Sequence, residues 1–385
     1  MSKNQKSQPR EEFTLPLRPL RLGANLYALQ TQPGFEQIAL DEAAKRAQAR
    51  VLGSRVIRER SGIGIFTAPA APALMKLRCA EDLFAVIGYH AAPDPSLEKI
   101  SAAVRGTRHI DWALDARVRL MPGSKAGRRM HFRVIARMTG EHEFRRVDFK
   151  RAVEQALVER EDRNWRLDEE HPEVEVWVTL LDSEFIMMIR LSDDLMRQRG
   201  YKHADRPGSL RPAVAAALAW LSDPNPGDVV LDPFCGTATT LIERAHLGRY
   251  AMLLGGDNDP EALAVARINV GPRYKPIELR PWDAAELPLP DRSVTKVVTN
   301  LPWGIRFGSH SDNRHAYPRF ISELNRVMAP GGKAVMLTGE RALMRELTAA
   351  RKIAPDHIIK VEILGTYAEI YVWSAIAKSG ADRSA

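Results

Sequence analysis

Val229-Val230-Leu231-Asp232-Pro233-Phe234-Cys235-Gly236-Thr237-Ala238-Thr239-Thr240-Leu241-Ile242-Glu243 runs from an apolar stretch through an acidic residue and a glycine turn into the start of a helix. Strand, turn and helix in that order open a doubly wound α/β domain, whose ligands sit beyond the carboxyl ends of its strands. Twenty-one residues after Gly236 a second apolar run, Ala251 to Gly256, ends in Asp257. A carboxylate about 20 residues past such a turn is placed to hydrogen-bond a ribose diol. Val297-Val298-Thr299-Asn300-Leu301-Pro302-Trp303-Gly304 then closes a later strand with a polar residue, a proline and an aromatic. The three pieces predict a nucleoside-cofactor pocket with a lip that handles a base.

Working outward, strands are expected near 229–231, 251–256, 277–279, 296–300, 333–338, 357–363 and 368–376, alternating with helices. A tight connection at Gly365-Thr366 predicts an antiparallel pair at the sheet edge. Pro212 opens a helix to Leu221, since proline's missing donor costs nothing in a first turn. Residues 196–211, basic and Gly/Pro-containing, read as a linker. Upstream, strand-like runs (25–31, 56–58, 64–67, 83–89) interleave with helical ones (35–49, 72–79, 97–105), which suggests a small α+β sandwich. Met130 to Arg137 alternates, with Phe132, Val134 and Ala136 opposed to His131, Arg133, Ile135 and Arg137, as a half-buried strand does. Phe149 to Glu159 reads as helix, and 174–179 with 184–191 as a strand pair about Asp182-Ser183. The division expected is a disordered basic tail over 1–21, a folded region over 22–195, the linker, and the α/β domain over 212–385.

At 385 residues the chain is long enough for two or three domains. No run approaches the ~18 apolar residues of a membrane span, and no secretory signal is visible. Two distant cysteines, Cys79 and Cys235, speak for a reducing cytoplasm and against disulfides or a structural zinc. The net charge is +8, and between Lys99 and Arg151 fourteen Lys/Arg face five Asp/Glu. That density is the footprint of a polyanion partner.

These residues resemble a known family. The third region is similar to S-adenosylmethionine-dependent methyltransferases with a seven-stranded Rossmann-like sheet. Asp232-Pro233-Phe234-Cys235-Gly236-Thr237 looks like their cofactor motif in enzymes that methylate exocyclic amines. Asn300-Leu301-Pro302-Trp303 looks like their Asn/Asp-Pro-Pro-Tyr/Phe catalytic motif, with Leu301 in place of the first proline and Ala238 where a glycine is usual. The leading half resembles the α+β ferredoxin-like plus THUMP arrangement, an RNA-binding module, and Arg199-Gly200-Tyr201 through Arg211-Pro212 resembles its junction. Nearly the whole chain, Tyr27 to Ile376, is covered, and the THUMP-type tRNA guanine-N2 methyltransferases are the group most resembled.

The resemblance implies methyl transfer from S-adenosyl-L-methionine to the N2 amine of a guanosine in tRNA, in the acceptor-stem region, by a monomer without a metal. Ribosomal RNA as substrate, and an inactive RNA-binding protein keeping the fold, are the alternatives; DNA adenine or protein glutamine would use the same amine motif. Asp232 is expected at the methionine end of the cofactor, Asp257 at the ribose and Asp283 at the adenine amine, with Pro233, Phe234, Gly236, Thr237, Asn258 and Asn300 completing the pocket. A pyrophosphate site would need Gly-x-Gly-x-x-Gly, which is missing, so a nicotinamide dehydrogenase is disfavoured. Cys235 sits in the cofactor turn and Trp303 follows the catalytic proline, so cytosine-C5 methylation, which needs a cysteine there, is disfavoured too. Asn300 and the Leu301 peptide are expected to offer carbonyls to the target amine, Pro302 to restrict their direction and Trp303 to stack on an extruded base. Arg128, Arg129, Arg133, Arg137, Arg145 and Arg146 are expected on phosphates, continued by Arg199, Tyr201 and Lys202.

Overall fold

The alternation read from 130–137 lies in a strand over Arg129–Thr139. The structure, a computed structural model, describes residues 22–57, 61–70, 72–91, 95–304 and 309–375. The tail expected over 1–21, Arg58 and the chain from Ile376 lie outside the described residues. Two compact units divide between Met196 and Arg197.

The first unit holds β1 (Leu26–Thr31), α1 (Glu36–Ala47), β2 (Arg50–Ile57), β3 (Ser61–Thr67), β4 (Asp82–Ala91), α2 (Leu97–Arg105), α3 (Ile110–Leu120), β5 (Arg129–Thr139), α4 (Arg146–Val158), β6 (Asn164–Leu167), β7 (Val174–Leu181) and β8 (Glu184–Arg190). All eight strands form one sheet in the order β2-β3-β1-β4-β8-β7-β5-β6. The early residues therefore do not close a small sandwich of their own: β4 pairs antiparallel with β8, Phe84 opposite Arg190, and the ladder runs on. The sheet curls. Arg55 on β2 reaches Glu184 on β8 at 2.9 and 3.1 Å, and Arg137 on β5 donates to Ser61 on β3 at 2.8 Å. With strands ~4.8 Å apart, side chains meet across three or four intervening strands only when the sheet bends back on itself. The inner face carries its own core, including Ile63, Ile65, Phe84, Val86, Trp177, Ile186 and Met188. Helices α1, α3 and α4 cover the other face, where Leu40 fits over Gly64, Trp112 meets Tyr27 and Phe149 meets Phe185. The helix expected over 72–79 is a short 3-10 turn over Pro72–Lys76, and α3 and β6 had no expectation.

The second unit begins within a short helix, α5 (Leu195–Gln198), and continues with α6 (Pro212–Leu221), β9 (Val229–Asp232), α7 (Thr239–Leu247), β10 (Met252–Gly256), α8 (Pro260–Val270), β11 (Ile277–Arg280), β12 (Val294–Asn300), α9 (His310–Val327), β13 (Met328–Thr338), α10 (Arg341–Ala350), β14 (His357–Ile363) and β15 (Thr366–Ser374). The sheet order is β11-β10-β9-β12-β13-β15-β14. The strands through β13 are parallel, and β15 runs antiparallel to both neighbours. This is the seven-stranded Rossmann-like arrangement expected. The order reverses between β9 and β12, and a crevice opens at such a switch point. The closing hairpin turns at Leu364-Gly365, one residue earlier than expected, with φ of 51° and 86°; two left-handed residues match the twist of paired strands. Among the described residues no helix is long and apolar enough to cross a membrane.

Candidate active site

Asp232 and Asn300 end β9 and β12, and Asp257 directly follows β10, all at the carboxyl ends of the sheet's parallel strands. Asp232 is buried; its Oδ1 accepts from Thr299 Oγ1 at 2.7 Å and from the Phe234 amide at 3.3 Å. Burial, set against those hydrogen bonds, pushes its carboxyl up to about 7, and neighbouring Asp257 adds to the rise. Burial also raises Asp257, against hydrogen bonds from the Asp259 and Gly236 amides. Two carboxyls with raised pKa at one strand edge draw a cation or hydroxyl donors.

The turn between them is built for that purpose. Gly236 takes φ +52° with nothing within 4 Å of where a Cβ would stand, and its N–H is given to Asp257 Oδ2 at 2.8 Å. In a phosphate-binding loop such an amide faces the anion; here a carboxylate consumes it. Ala238 follows at φ +62°, ψ +19°, which explains why glycine is usual there: the left-handed conformation costs an alanine about 1–2 kcal/mol. Its buried methyl packs with Tyr201, Ile242 and Tyr274, offsetting part of that cost. Cys235 is buried against Gly255, and burial pushes its thiol well up, so it is no nucleophile.

The other expected pocket residues divide. Pro233 is buried, Phe234 meets Phe320 edge-on at 5.2 Å, and Asn258 is exposed beside Asp257. Thr237 has its hydroxyl against Ser209 and Thr239, at 3.2 and 3.0 Å. Asp283 is exposed beyond β11, and its Oδ1 caps its own turn through the Ala285 amide at 2.8 Å. Trp282, which had no expectation, lies over Gly256: a Cβ there would come within 3.1 Å of its ring. It stands beyond the end of β11 against the end of β10, and the signal was an aromatic just past a strand end, after Arg280-Pro281.

Asn300, half-buried at the end of β12, accepts from Trp303 Nε1 through Oδ1 at 3.0 Å. Leu301 N–H donates to the Leu337 carbonyl at 2.9 Å. The Pro302 carbonyl accepts twice, from Asn313 Nδ2 at 3.0 Å and Tyr317 Oη at 2.6 Å. Trp303 lies on Gly339, where a Cβ would stand 2.7 Å from its ring. Trp303, half-buried, thus has one face on Gly339 and spends its N–H on Asn300.

The basic residues also divide. In the first unit Arg128, Arg129, Arg145 and Arg146 are exposed. Arg133 instead pairs with Glu175, and Arg137 lies 4.6 Å over Trp177 besides its bond to Ser61. Those two are engaged within the sheet. His142 and Phe144, unremarked in the sequence, stack at 5.4 Å just before Arg145. In the second unit Arg199 and Tyr201 are buried, which corrects their placement on an RNA face. Tyr201 Oη donates to the buried Glu243 at 2.7 Å, and Arg199 approaches the same carboxylate at 3.6 Å. Lys202, half-buried, is held by Asp205 and the Leu210 carbonyl. The polar composition hid a strap packed onto α7. Among the described residues no three His, Cys, Asp or Glu side chains are grouped to hold a metal.

Comparison with known proteins gives the same picture in both units. Residues 199–369 match the model of the RMKL-like methyltransferase domain family and residues 115–190 that of the THUMP domain. The tRNA (guanine(6)-N2)-methyltransferase of Thermus thermophilus is 33% identical over 243 residues, 63% of this chain and 71% of that one. The mouse tRNA (guanine(6)-N(2))-methyltransferase THUMP3 is 31% identical over 268 residues, 64% of this chain and 52% of its own. The chain thus spans about half the length of the mammalian relatives it matches. The crystal structure of TrmN from Thermus thermophilus superimposes with a TM-score of 0.72 at 26% identity, over 91% of this chain and 99% of that one.

Proposed function

The chain belongs to the family of THUMP-domain methyltransferases that includes the Thermus thermophilus tRNA (guanine(6)-N2)-methyltransferase, and from that membership we propose that it methylates the exocyclic N2 of a guanosine in tRNA, in the cytoplasm, using S-adenosyl-L-methionine. The acceptor-stem region is the expected location. In this reading the first unit, with its exposed Arg128, Arg129, Arg145 and Arg146, holds the RNA by its phosphates, and the second carries the chemistry.

The donor set fits the cofactor: paired acids suit its ammonium and ribose hydroxyls, and the Gly236 amide is turned away from any phosphate. Asp232 would take the ammonium, Asp257 the ribose, with Asn258 and Asp283 toward the adenine. When bound, the cofactor supplies an electrophilic methyl on a sulfonium. The residues of this chain have a different task, because the lone pair of a guanine N2 is delocalised into its ring. Carbonyl acceptors around the N–H groups draw the nitrogen toward tetrahedral geometry and stabilise positive charge as it forms. Asn300 Oδ1 has two acceptor positions; Trp303 occupies one, and the other serves the substrate. Leu301 offers the second carbonyl. Pro302 cannot, since its oxygen is already bonded twice. The outer face of Trp303 stacks on the extruded base, worth on the order of 1–3 kcal/mol.

The observation that carries this reading is the Asn300–Trp303 loop at the end of β12, one strand from Asp232. The test is methyl transfer from labelled cofactor to total small RNA, read by nucleoside mass spectrometry, with Asn300→Ala as control. N2-methylguanosine in tRNA that vanishes in the variant supports the proposal. The same product confined to ribosomal RNA redirects the substrate, and no labelled RNA overturns it.

A further inference from the structure

Beyond the Trp303–Asn300 bond, the motif's backbone is held from outside. Leu301 is tied to β13 through its N–H, and Pro302 has no N–H, so the carbonyl is its only backbone handle. Both bonds to that carbonyl come from α9, from Asn313 and Tyr317. The two stand four residues apart on one helix face, and both are buried.

Their orientations are fixed in turn. Asn313 Nδ2 gives its second proton to Glu340 Oε1 at 2.8 Å, so its amide nitrogen, not its oxygen, faces the loop. Glu340 also holds His310 Nδ1 at 2.5 Å. On the other side the Glu340 N–H donates to Thr338 Oγ1 at 2.9 Å. With that oxygen accepting and the Tyr317 proton spent on Pro302, the Thr338 hydroxyl donates to Tyr317 Oη across 2.9 Å. Every proton in the chain has one direction. Burial pushes the Tyr317 phenol up, so it stays a donor across the working pH range. Gly304, at φ +68°, closes against the same group: a Cβ would meet His310 N at 2.7 Å and Glu340 Oε1 at 2.9 Å.

We propose that Asn313 and Tyr317 are positioning residues for methyl transfer, clamping the Pro302 carbonyl so that Asn300 Oδ1 and the Leu301 carbonyl keep their aim at the target amine. This rests on the amine-methylation reading above. The fixed Pro302 peptide sets where Trp303 begins, and so where its indole meets Asn300. The clamp touches neither substrate nor Asp232, so its loss is felt in the chemical step and not in binding.

The test compares wild type, Tyr317→Phe, Asn313→Ala, Asn300→Ala and the Asn300→Ala/Tyr317→Phe double variant. Each is measured for single-turnover methyl transfer to tRNA, cofactor Kd and RNA Kd, with thermal melting alongside. A displaced catalytic group costs roughly 10- to 100-fold in rate. Tyr317→Phe, which keeps the ring's volume, is expected to lose rate in that range with both Kd values within about twofold, and to cost less in the Asn300→Ala background than in wild type, because part of its effect acts through that residue. Full rate in Tyr317→Phe and Asn313→Ala overturns the clamp. So does an equal loss in the Asn300→Ala background, or a loss matched by weakened cofactor binding and melting, which marks a merely structural role. A wild type that methylates no RNA removes the reading itself, and the clamp with it; an active wild type beside fully active variants removes the clamp alone.

Discussion

Replacing Trp303 with phenylalanine separates two jobs that one indole performs. The ring rests on Gly339, and its N–H donates to Asn300 Oδ1 at 3.0 Å. Phenylalanine keeps an aromatic face for a base and removes the N–H together with one ring of the bicycle. A hydrogen bond of this kind is worth about 0.5–1.5 kcal/mol net. If it holds the Asn300 amide in its reactive orientation, the loss falls on kcat, by about 2- to 13-fold at 1.36 kcal/mol per decade. Alanine removes the stacking face as well, adding about 1–3 kcal/mol to the loss, and that part falls on the RNA KM. The assay is steady-state methyl transfer with kcat and KM determined separately for both variants. A phenylalanine variant with wild-type kcat, or one impaired only in KM, would refute the orienting role of the indole.

Three further outcomes follow from the geometry. Asp232 titrates at about 7 in the folded chain, above its ordinary value, because of burial. The native state therefore holds the extra proton between those two pH values, and the unliganded domain loses stability as pH rises through that window. A cationic ligand favours the carboxylate, so the melting shift given by adenosylmethionine should grow from acid pH to pH above about 7; a shift independent of pH contradicts this role, and Asp232→Asn should abolish the dependence. Arg128→Ala and Arg129→Ala should weaken tRNA binding and flatten its salt dependence, by about 0.7–0.9 in the log–log slope per lost phosphate contact; Arg137→Ala, on a residue bonded inside the sheet, should lower the melting temperature and leave that slope unchanged. Tyr201→Phe strips a hydroxyl from the buried Glu243 and should cost about 1.5–3 kcal/mol in denaturant unfolding with RNA affinity preserved; a loss confined to RNA binding would return Tyr201 to the RNA surface.

What was legible in the sequence was what local chemistry decides. Pro212 at a first turn marked α6, the alternation around Phe132 marked β5, and runs ending in Asp232, Asp257 and Asn300 marked strand ends. Long-range partners were not legible. Tyr201 looked solvated because its stretch is polar, yet its hydroxyl meets a carboxylate 42 positions on. Arg133 and Arg137 were placed on the correct strand face, but the face curls inward to Glu175, Trp177 and Ser61. The motif showed Asn300 and Trp303; nothing in it showed that the indole bonds the amide, or that α9 grips Pro302 from behind.

The junction of β4 with β8 also sets a timetable. Phe84 has no partner on that side until Arg190 arrives, so a growing chain carries an open, apolar strand edge while the ribosome adds about a hundred residues, some 5–20 s at usual elongation rates. Such an edge is a site for mispairing with other nascent chains. Gene fragments that end before β8 therefore leave a half-sheet without its closing strand, and the stretch between β4 and β8 is a poor place to cut, fuse or exchange this protein.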